Sequence, residues 1–199
     1  MRYFRRRDLL KAVALTAFSG SAFGGYAVAE SFRQRVTRYA ISPPGWTPGL
    51  NLKLAVIADI HACDPWMSAE RVDEIVAQTN NLGVDAMLLL GDYVAGSRIS
   101  RFATPVSVGS WATALSKLKA PPGVPAVLGN HVWWSEKDAQ RPRPGPTAAG
   151  RALEAVGIPV YENKAVRLEK DGKAFWIAGL ADQWAFYPVP ENREFFPKH

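Results

Sequence analysis

Short apolar runs alternate along this chain with segments of helical spacing, and this alternation is the strongest constraint on its fold. The runs at 52–58, 86–90 and 125–128 have the length and composition of buried strands. The segments between them repeat apolar residues on one helical face, and Ser68 and Thr147 are candidate helix caps. Strands that alternate with helices predict an α/β fold with a largely parallel sheet.

A hairpin is predicted near the end of the apolar pattern. Residues 166–168 and 175–177 flank Asp171-Gly172, a pair that favours a tight turn between antiparallel strands. The segment 137–146 is rich in proline and arginine and is predicted to be an exposed loop.

The net charge of +6 belongs entirely to the N-terminal fifth of the chain. Residues 1–40 contain eight basic and two acidic residues, and the remaining 16 basic and 16 acidic residues cancel. The rest of the chain is therefore neutral, and no nucleic-acid partner is expected. Cys63 is the single cysteine, which excludes an internal disulfide and a cysteine-based zinc cluster.

The N-terminus resembles a twin-arginine export signal. Residues 5–11 read Arg-Arg-Arg-Asp-Leu-Leu-Lys, a mildly apolar stretch follows at 12–29, and Ala27-Val28-Ala29 fits a cleavage site. The alternative is an uncleaved membrane anchor, because the stretch is about long enough to span a bilayer.

Both alternatives place the rest of the chain outside the cytoplasm, in the periplasm or on the outer face of the cytoplasmic membrane. The predicted organisation is a signal or anchor at 1–29, a linker at 30–50 and a globular domain at 51–199. Three arginines of the linker can contact anionic lipid head groups at a membrane surface, or be ordinary solvated charges. They are Arg33, Arg35 and Arg38.

Polar side chains follow each of the three predicted parallel strands. Asp59 and His61 follow the first strand, Asp92 the second, and Asn130 and His131 the third. Ligands of parallel sheets bind beyond the carboxyl ends of the strands. We therefore expect these five side chains to converge on one edge of a cleft.

The convergent residues have the chemistry of a metal site. Positions i and i+2 of an extended chain face the same side, so Asp59 and His61 can reach one ion. Asp92 can bridge two ions, and Asn130 adds an amide oxygen; this donor set suits Mn, Fe or Zn. Each residue alone also has a structural explanation, as a turn residue, a helix cap or, for His131, a hydrogen-bonded structural histidine.

Taken together, these residues resemble the motifs of the calcineurin-like metallophosphoesterases. Asp59-Ile60-His61, Gly91-Asp92 and Gly129-Asn130-His131 stand in the order of the family's D-x-H, G-D and G-N-H motifs. The resemblance runs from about residue 52 to 184 and implies a sandwich with a mixed sheet and flanking helices. The leader and the first motif look closest to the exported or membrane-attached branch that includes the YkuE- and YaeI-like phosphodiesterases.

The resemblance implies a role for each residue. Asp59 and His61 would bind a first divalent ion, Asp92 would bridge two ions, and Asn130 would bind the second. His131 would contact the phosphate and protonate the leaving alkoxide instead of binding metal. The implied activity is phosphodiester hydrolysis by water that is activated at two metal ions. The implied substrate is a phosphoester, and a lipid-linked phosphoester is one candidate.

The sequence departs from the family pattern at two places. Val132 stands where the family usually has an acidic residue that orients the preceding histidine. The family's later histidine and its G-H-x-H motif have no counterpart, since His199 is the only histidine after His131. We therefore expect a C-terminally truncated domain that lacks the last strands of the fold and is weakly active or inactive.

The alternative function is a non-catalytic remnant or binding protein that retains the fold. A nucleotide-binding module of the Rossmann type is disfavoured, because no G-x-G-x-x-G follows the first strand.

Overall fold

The chain divides into two compact units, residues 1–41 and 42–199. The computed structural model describes residues 6, 16, 18, 21, 23–30, 32–96, 103–136, 139 and 146–185. In the first unit residues 23–30 are helical, and all of their side chains except the partly buried Glu30 are exposed. Among the residues described, none of the helices combines the length and apolar character that crossing a bilayer requires. The predicted boundaries at 29/30 and 50/51 stay predictions.

The second unit contains short strands and four helices. The strands are β1 (Leu54–Ile57), β2 (Cys63–Asp64), β3 (Ala86–Leu89), β4 (Thr104–Pro105), β5 (Lys164–Lys170) and β6 (Lys173–Gly179). The helices are α1 (Ala69–Asn80), α2 (Val108–Leu115), α3 (Asn130–Ser135) and α4 (Ala148–Ala155). The predicted mixed α/β class with flanking helices is confirmed. Most of the predicted loop at 137–146 lies outside the described residues.

The parallel core is built on β1 and β3, which pair from Leu54 opposite Ala86 to Ile57 opposite Leu89. The predicted third strand at 125–128 is shorter than expected: Ala126 alone forms parallel bridges, to Leu89 and to Val160. Proline at 125 has no amide hydrogen to donate to a neighbouring strand, which limits this ladder to single bridges.

The other four strands named above form two antiparallel pairs. β5 and β6 form the predicted hairpin, and Asp171 and Gly172 have φ angles of 51° and 71° at its turn. Positive φ at both central residues is the turn geometry that matches the twist of a hairpin. β2 and β4 form a shorter pair, with Cys63 opposite Pro105.

Both predicted helix caps are confirmed. The hydroxyl of Ser68 accepts a hydrogen bond from the Arg71 amide at 3.3 Å, and that of Thr147 accepts one from the Gly150 amide at 3.0 Å. Such caps satisfy amide groups that have no partner within the helix. Helix α3 was not predicted, because its residues follow directly after an apolar run interpreted as a strand.

The core holds the loop after β3 in place. Trp111 of α2 is completely buried, and its ring stacks on Tyr93 with the centroids 5.1 Å apart. The Tyr93 hydroxyl donates to the Val127 carbonyl oxygen at 2.9 Å. Because Tyr93 directly follows Asp92, these contacts fix the backbone that carries the carboxylate.

Candidate metal centre

The loops after β1 and β3 run side by side beyond the ends of their strands. The Asp59 amide donates to the Gly91 carbonyl oxygen at 3.2 Å, and the His61 amide donates to that of Asp92 at 2.9 Å. The parallel alignment of the sheet therefore continues into the loops. This alignment brings the polar side chains of the two loops to the same edge of the sheet, as the sequence predicted.

The backbone of these loops is left-handed at three site residues. Asp59, His61 and Asp92 have φ angles of 54°, 44° and 54°. The extended conformation predicted for Asp59 to His61 is therefore wrong. The left-handed region costs residues other than glycine about 1–2 kcal/mol each, and such residues cluster at functional sites.

Three side chains of the predicted site come together. His61, Asp92 and His131 each place one possible ligand atom within 4.8 Å of those of the other two, and all three are partly buried. The imidazoles of His61 and His131 meet edge to face, with ring centroids 4.9 Å apart. Two imidazoles and a carboxylate are donors that suit a divalent transition metal, so this group can hold a divalent cation.

One ring nitrogen of His61 is bound to the backbone, and the other is directed elsewhere. Its Nδ1 lies 2.9 Å from the Val94 carbonyl oxygen. Because a carbonyl oxygen only accepts, Nδ1 carries the hydrogen, and the neutral ring presents the lone pair of Nε2. A second-shell bond of this kind fixes both the tautomer and the ring direction of metal-binding histidines. The Nε2 atom lies 3.8 Å from Oδ1 of Asp59.

Asp92 connects the loop after β3 to the start of α3. Its Oδ1 accepts a hydrogen bond from the His131 amide at 3.0 Å. The two glycines of the neighbouring motifs permit this approach: a Cβ on Gly129 would lie 2.6 Å from the Asp92 amide nitrogen, and one on Gly91 would lie 2.5 Å from the Gly129 nitrogen. Side chains at either position would push the two loops apart.

His131 lies in an environment that disfavours its charged form. Burial lowers the pKa of His131, and the nearby His61 acts in the same direction. The carboxylate of Asp92 opposes this effect by favouring the imidazolium.

The two other predicted ligands lie beside this group. The side chain of Asp59 is 72% exposed and reaches His61 from the solvent side. Asn130 is partly buried and is the first residue of α3, next to His131. The metal-binding roles of Asp59, His61, Asp92 and Asn130 and the catalytic role of His131 stay predictions.

The departure at Val132 has a structural counterpart. Val132 is completely buried in the core. Glu136, the residue that directly follows α3, accepts hydrogen bonds from the Ala148 amide with both carboxylate oxygens, at 2.8 and 2.9 Å. This carboxylate therefore binds the first turn of α4.

Two neighbours of His131 were not among the predicted site residues. The Trp134 ring meets the His131 ring at an angle of 69°, with centroids 5.2 Å apart, and Gly96 lies close to the imidazole. Residues three apart share a helix face, so recognising α3 would have placed Trp134 beside His131. Nothing in the local sequence distinguishes Gly96 from an ordinary loop glycine.

The comparison with protein families agrees with this geometry. Residues 52–179 match the family model of the calcineurin-like phosphoesterases, a segment that runs through all six strands and includes every predicted site residue. No curated protein and no solved structure gives a significant match. The family match covers more than half of the chain. This protein therefore belongs to the calcineurin-like phosphoesterase family.

Proposed function

We propose that this protein is a metal-dependent phosphoesterase of the phosphodiesterase type, with two divalent ions at the edge of its parallel sheet. The observation that carries the proposal is the grouping of His61, Asp92 and His131, whose possible ligand atoms lie within 4.8 Å of one another. These residues come from two strand-end loops and a helix start, and all lie within the segment that matches the family.

The proposed ligand set extends this group. Asp59 and His61 would bind one ion, Asp92 would lie between the two, and Asn130 would bind the second; the metal is Mn, Fe or Zn. Divalent cations at such a site neutralise phosphate charge and lower the pKa of a water molecule that attacks phosphorus.

Backbone groups of the protein orient the side chains of the proposed site. The Val94 carbonyl fixes the His61 tautomer, and the His131 amide fixes the Asp92 carboxylate. His131, in its protonated form, would donate a proton to the leaving ester oxygen as the bond between that oxygen and phosphorus breaks. The attacking water would form the new bond to phosphorus as hydroxide, after losing a proton to solvent. A general acid at this position contributes about 10²–10⁴-fold to the rate.

We further propose that the protein belongs to the YkuE/YaeI-like branch and acts outside the cytoplasm on a lipid-linked phosphodiester. The twin-arginine-type leader supports export. The helical residues 23–30 expose Phe23 and Tyr26, and Arg33, Arg35 and Arg38 follow them. Exposed aromatic and basic side chains suit a surface of anionic lipid.

A second candidate is a binding protein that retains the fold without catalysis. The observation in its favour is that the segment after His131 offers its ring no carboxylate, because position 132 is a buried valine and Glu136 binds the amide of Ala148. A histidine that lacks the orienting carboxylate of the family pattern is less well placed for proton transfer.

Hydrolysis assays on the purified chain separate the two candidates. With Mn²⁺ present, we expect hydrolysis of bis(p-nitrophenyl) phosphate to exceed that of the monoester p-nitrophenyl phosphate. The variant His131→Gln should lose about 100-fold or more in kcat and still bind Mn²⁺. The control Asp73→Asn, which changes a surface ion pair with Lys117, should retain activity. Mn²⁺ binding without hydrolysis of either ester would favour the binding protein.

A further inference from the structure

Gly96 lies against the imidazole of His131. A Cβ added to this buried glycine would be 2.9 Å from Cε1 and 3.0 Å from Nδ1 of the ring. Carbon atoms that are not bonded to each other rarely approach so closely, because their optimal separation is about 3.5–4.0 Å. A side chain at position 96 is therefore incompatible with the present orientation of the His131 ring.

The backbone at this position does not itself require glycine. The φ angle of Gly96 lies outside the positive range, whereas Gly91 in the same loop has a φ of 98°. Any residue can adopt the backbone conformation of Gly96. The site therefore depends on the absence of a side chain at Gly96 and not on the conformational freedom of glycine.

The other sides of the imidazole are also occupied. His61 meets the ring edge to face at 4.9 Å, and Trp134 packs on it from one turn further along α3 at 5.2 Å. The His131 amide is bound to Asp92 Oδ1 at 3.0 Å. The ring therefore contacts His61 and Trp134 as well as Gly96, and the backbone that carries it is held, so we expect a new Cβ at position 96 to move the ring relative to these site residues.

We propose that Gly96 is a positioning residue of this site: it leaves the space in which the His131 imidazole lies and so sets the distance of its nitrogens from His61 and Asp92. The loop after β3 then supplies two parts of the site, the carboxylate of Asp92 and the cavity wall at Gly96. The effect on catalysis rests on the proposed phosphoesterase function, whereas the placement of the ring does not.

The ring placement is tested by NMR on the full chain. The chain contains three histidines, so ¹H–¹⁵N correlations of the imidazoles are readily assigned with His131→Gln and His199→Gln variants. Gly96→Ala should shift the ring signals of His131 and leave those of His199 unchanged. The matched control is Gly109→Ala, an exposed glycine with no atom within 4 Å of its added Cβ; it should shift none of them. Unchanged His131 signals in Gly96→Ala would overturn the proposal.

A double-mutant cycle covers the case in which Gly96→Ala folds poorly. Replacing His131 with alanine removes the ring atoms that the new Cβ would meet. Gly96→Ala should therefore lower the urea midpoint in the wild-type background and have little effect in the His131→Ala background. Equal destabilisation in both backgrounds would contradict a specific contact with His131.

Kinetics then connect the placement to catalysis. Gly96→Ala should reduce kcat about tenfold or more and change KM less than twofold, because small displacements of a catalytic group act mainly on the chemical step. An unchanged kcat would count against the positioning role. Absence of hydrolysis by every variant would contradict the phosphoesterase proposal alone, since neither the NMR spectra nor the stability cycle requires turnover.

Discussion

At the scale of single residues, the metal-binding group is held by contacts from its neighbours' backbone. The Val94 carbonyl accepts from His61 Nδ1, and the His131 amide donates to Asp92. Both bonds are made by backbone groups of the fold. We therefore expect the fold to set the directions of these side chains, which would reduce the cost of ordering the site when a cation binds.

The variant Gly129→Ala tests how the carboxylate is held. Its Cβ would lie 2.6 Å from the Asp92 amide nitrogen and would occupy the space of the Asp92 side chain. We expect the affinity for Mn²⁺ to fall about 10–100-fold. Losses of this size are typical when a contact that orients a metal ligand is removed. Calorimetric titration measures the change, with Gly109→Ala as the control. Wild-type affinity in Gly129→Ala would show that the close approach of the two loops is dispensable.

The sequence predicted that three of these residues lie together but did not predict their backbone conformation. His61, Asp92 and His131 were predicted from their positions after apolar runs and from the motif order. The left-handed backbone of Asp59 and His61 was not predicted, because hydrogen bonds to Gly91 and Asp92, about 30 residues away, determine it. The residues next to Asp59 and His61 in the sequence do not indicate this hydrogen bonding between the two loops.

At the scale of elements, helix α4 begins at two side chains that cap it. Thr147 is completely buried and accepts from the Gly150 amide, and both carboxylate oxygens of Glu136 accept from the Ala148 amide. Since Glu136 follows α3, the cap of α4 is also a connection to the helix that carries His131.

Replacing Thr147 with valine should destabilise the fold by about 1 kcal/mol, the usual loss when a cap is removed. Valine keeps the shape of threonine and removes only the hydroxyl, so the Gly150 amide loses its partner. Urea unfolding followed by circular dichroism measures the difference. Thr113→Val, the same change at an exposed position of α2, should have a smaller effect. Equal stability of wild type and Thr147→Val would mean that the Glu136 carboxylate suffices to cap α4.

Elements with local signals were predicted better than those that depend on distant partners. The caps at Ser68 and Thr147 and the turn at Asp171-Gly172 lie next to the elements they delimit, and all three were predicted. The strand at 125–128 was overestimated, because within it only Ala126 forms bridges to the neighbouring segments, at Leu89 and Val160. Helix α3 was missed because it has only six residues and begins directly after the glycine that ends the run interpreted as a strand.

At the scale of the whole second unit, one lysine connects the hairpin to the parallel core. Lys170, at the end of β5, donates to Asp85 Oδ2 and to the Asn51 carbonyl oxygen, both at 2.7 Å. Asp85 Oδ2 also accepts from the Lys53 amide at 2.7 Å. These bonds connect the turn end of the hairpin to the residues that precede β1 and β3.

This connection predicts an acid-dependent loss of stability. The hydrogen bond from Lys170 holds the pKa of Asp85 below its ordinary value of about 3.9. Because the folded-state pKa is depressed, the stabilisation is present above about pH 3.9 and is lost as the pH falls through the folded-state pKa. For a partly exposed pair the amount is about 0.5–1 kcal/mol.

Urea unfolding of Asp85→Asn at pH 6 and pH 3 measures this contribution. The variant should be less stable than wild type at pH 6, and the difference should shrink at pH 3. Glu154→Gln, an equivalent change at an exposed position of α4, should not show the same convergence. A constant difference at both pH values would exclude the charge of Asp85 as the cause.

The ends of β1 and β3 and the start of α3 form the proposed divalent metal site. Calorimetric titration of the full chain with Mn²⁺ is the direct test of this site, using Asp92→Asn and the surface control Asp73→Asn. We expect wild type and Asp73→Asn to bind Mn²⁺ equally, and Asp92→Asn to bind it at least about tenfold more weakly, since the amide removes the carboxylate charge from the site. Equal Mn²⁺ affinity of wild type and Asp92→Asn, or no binding by wild type, would contradict the account.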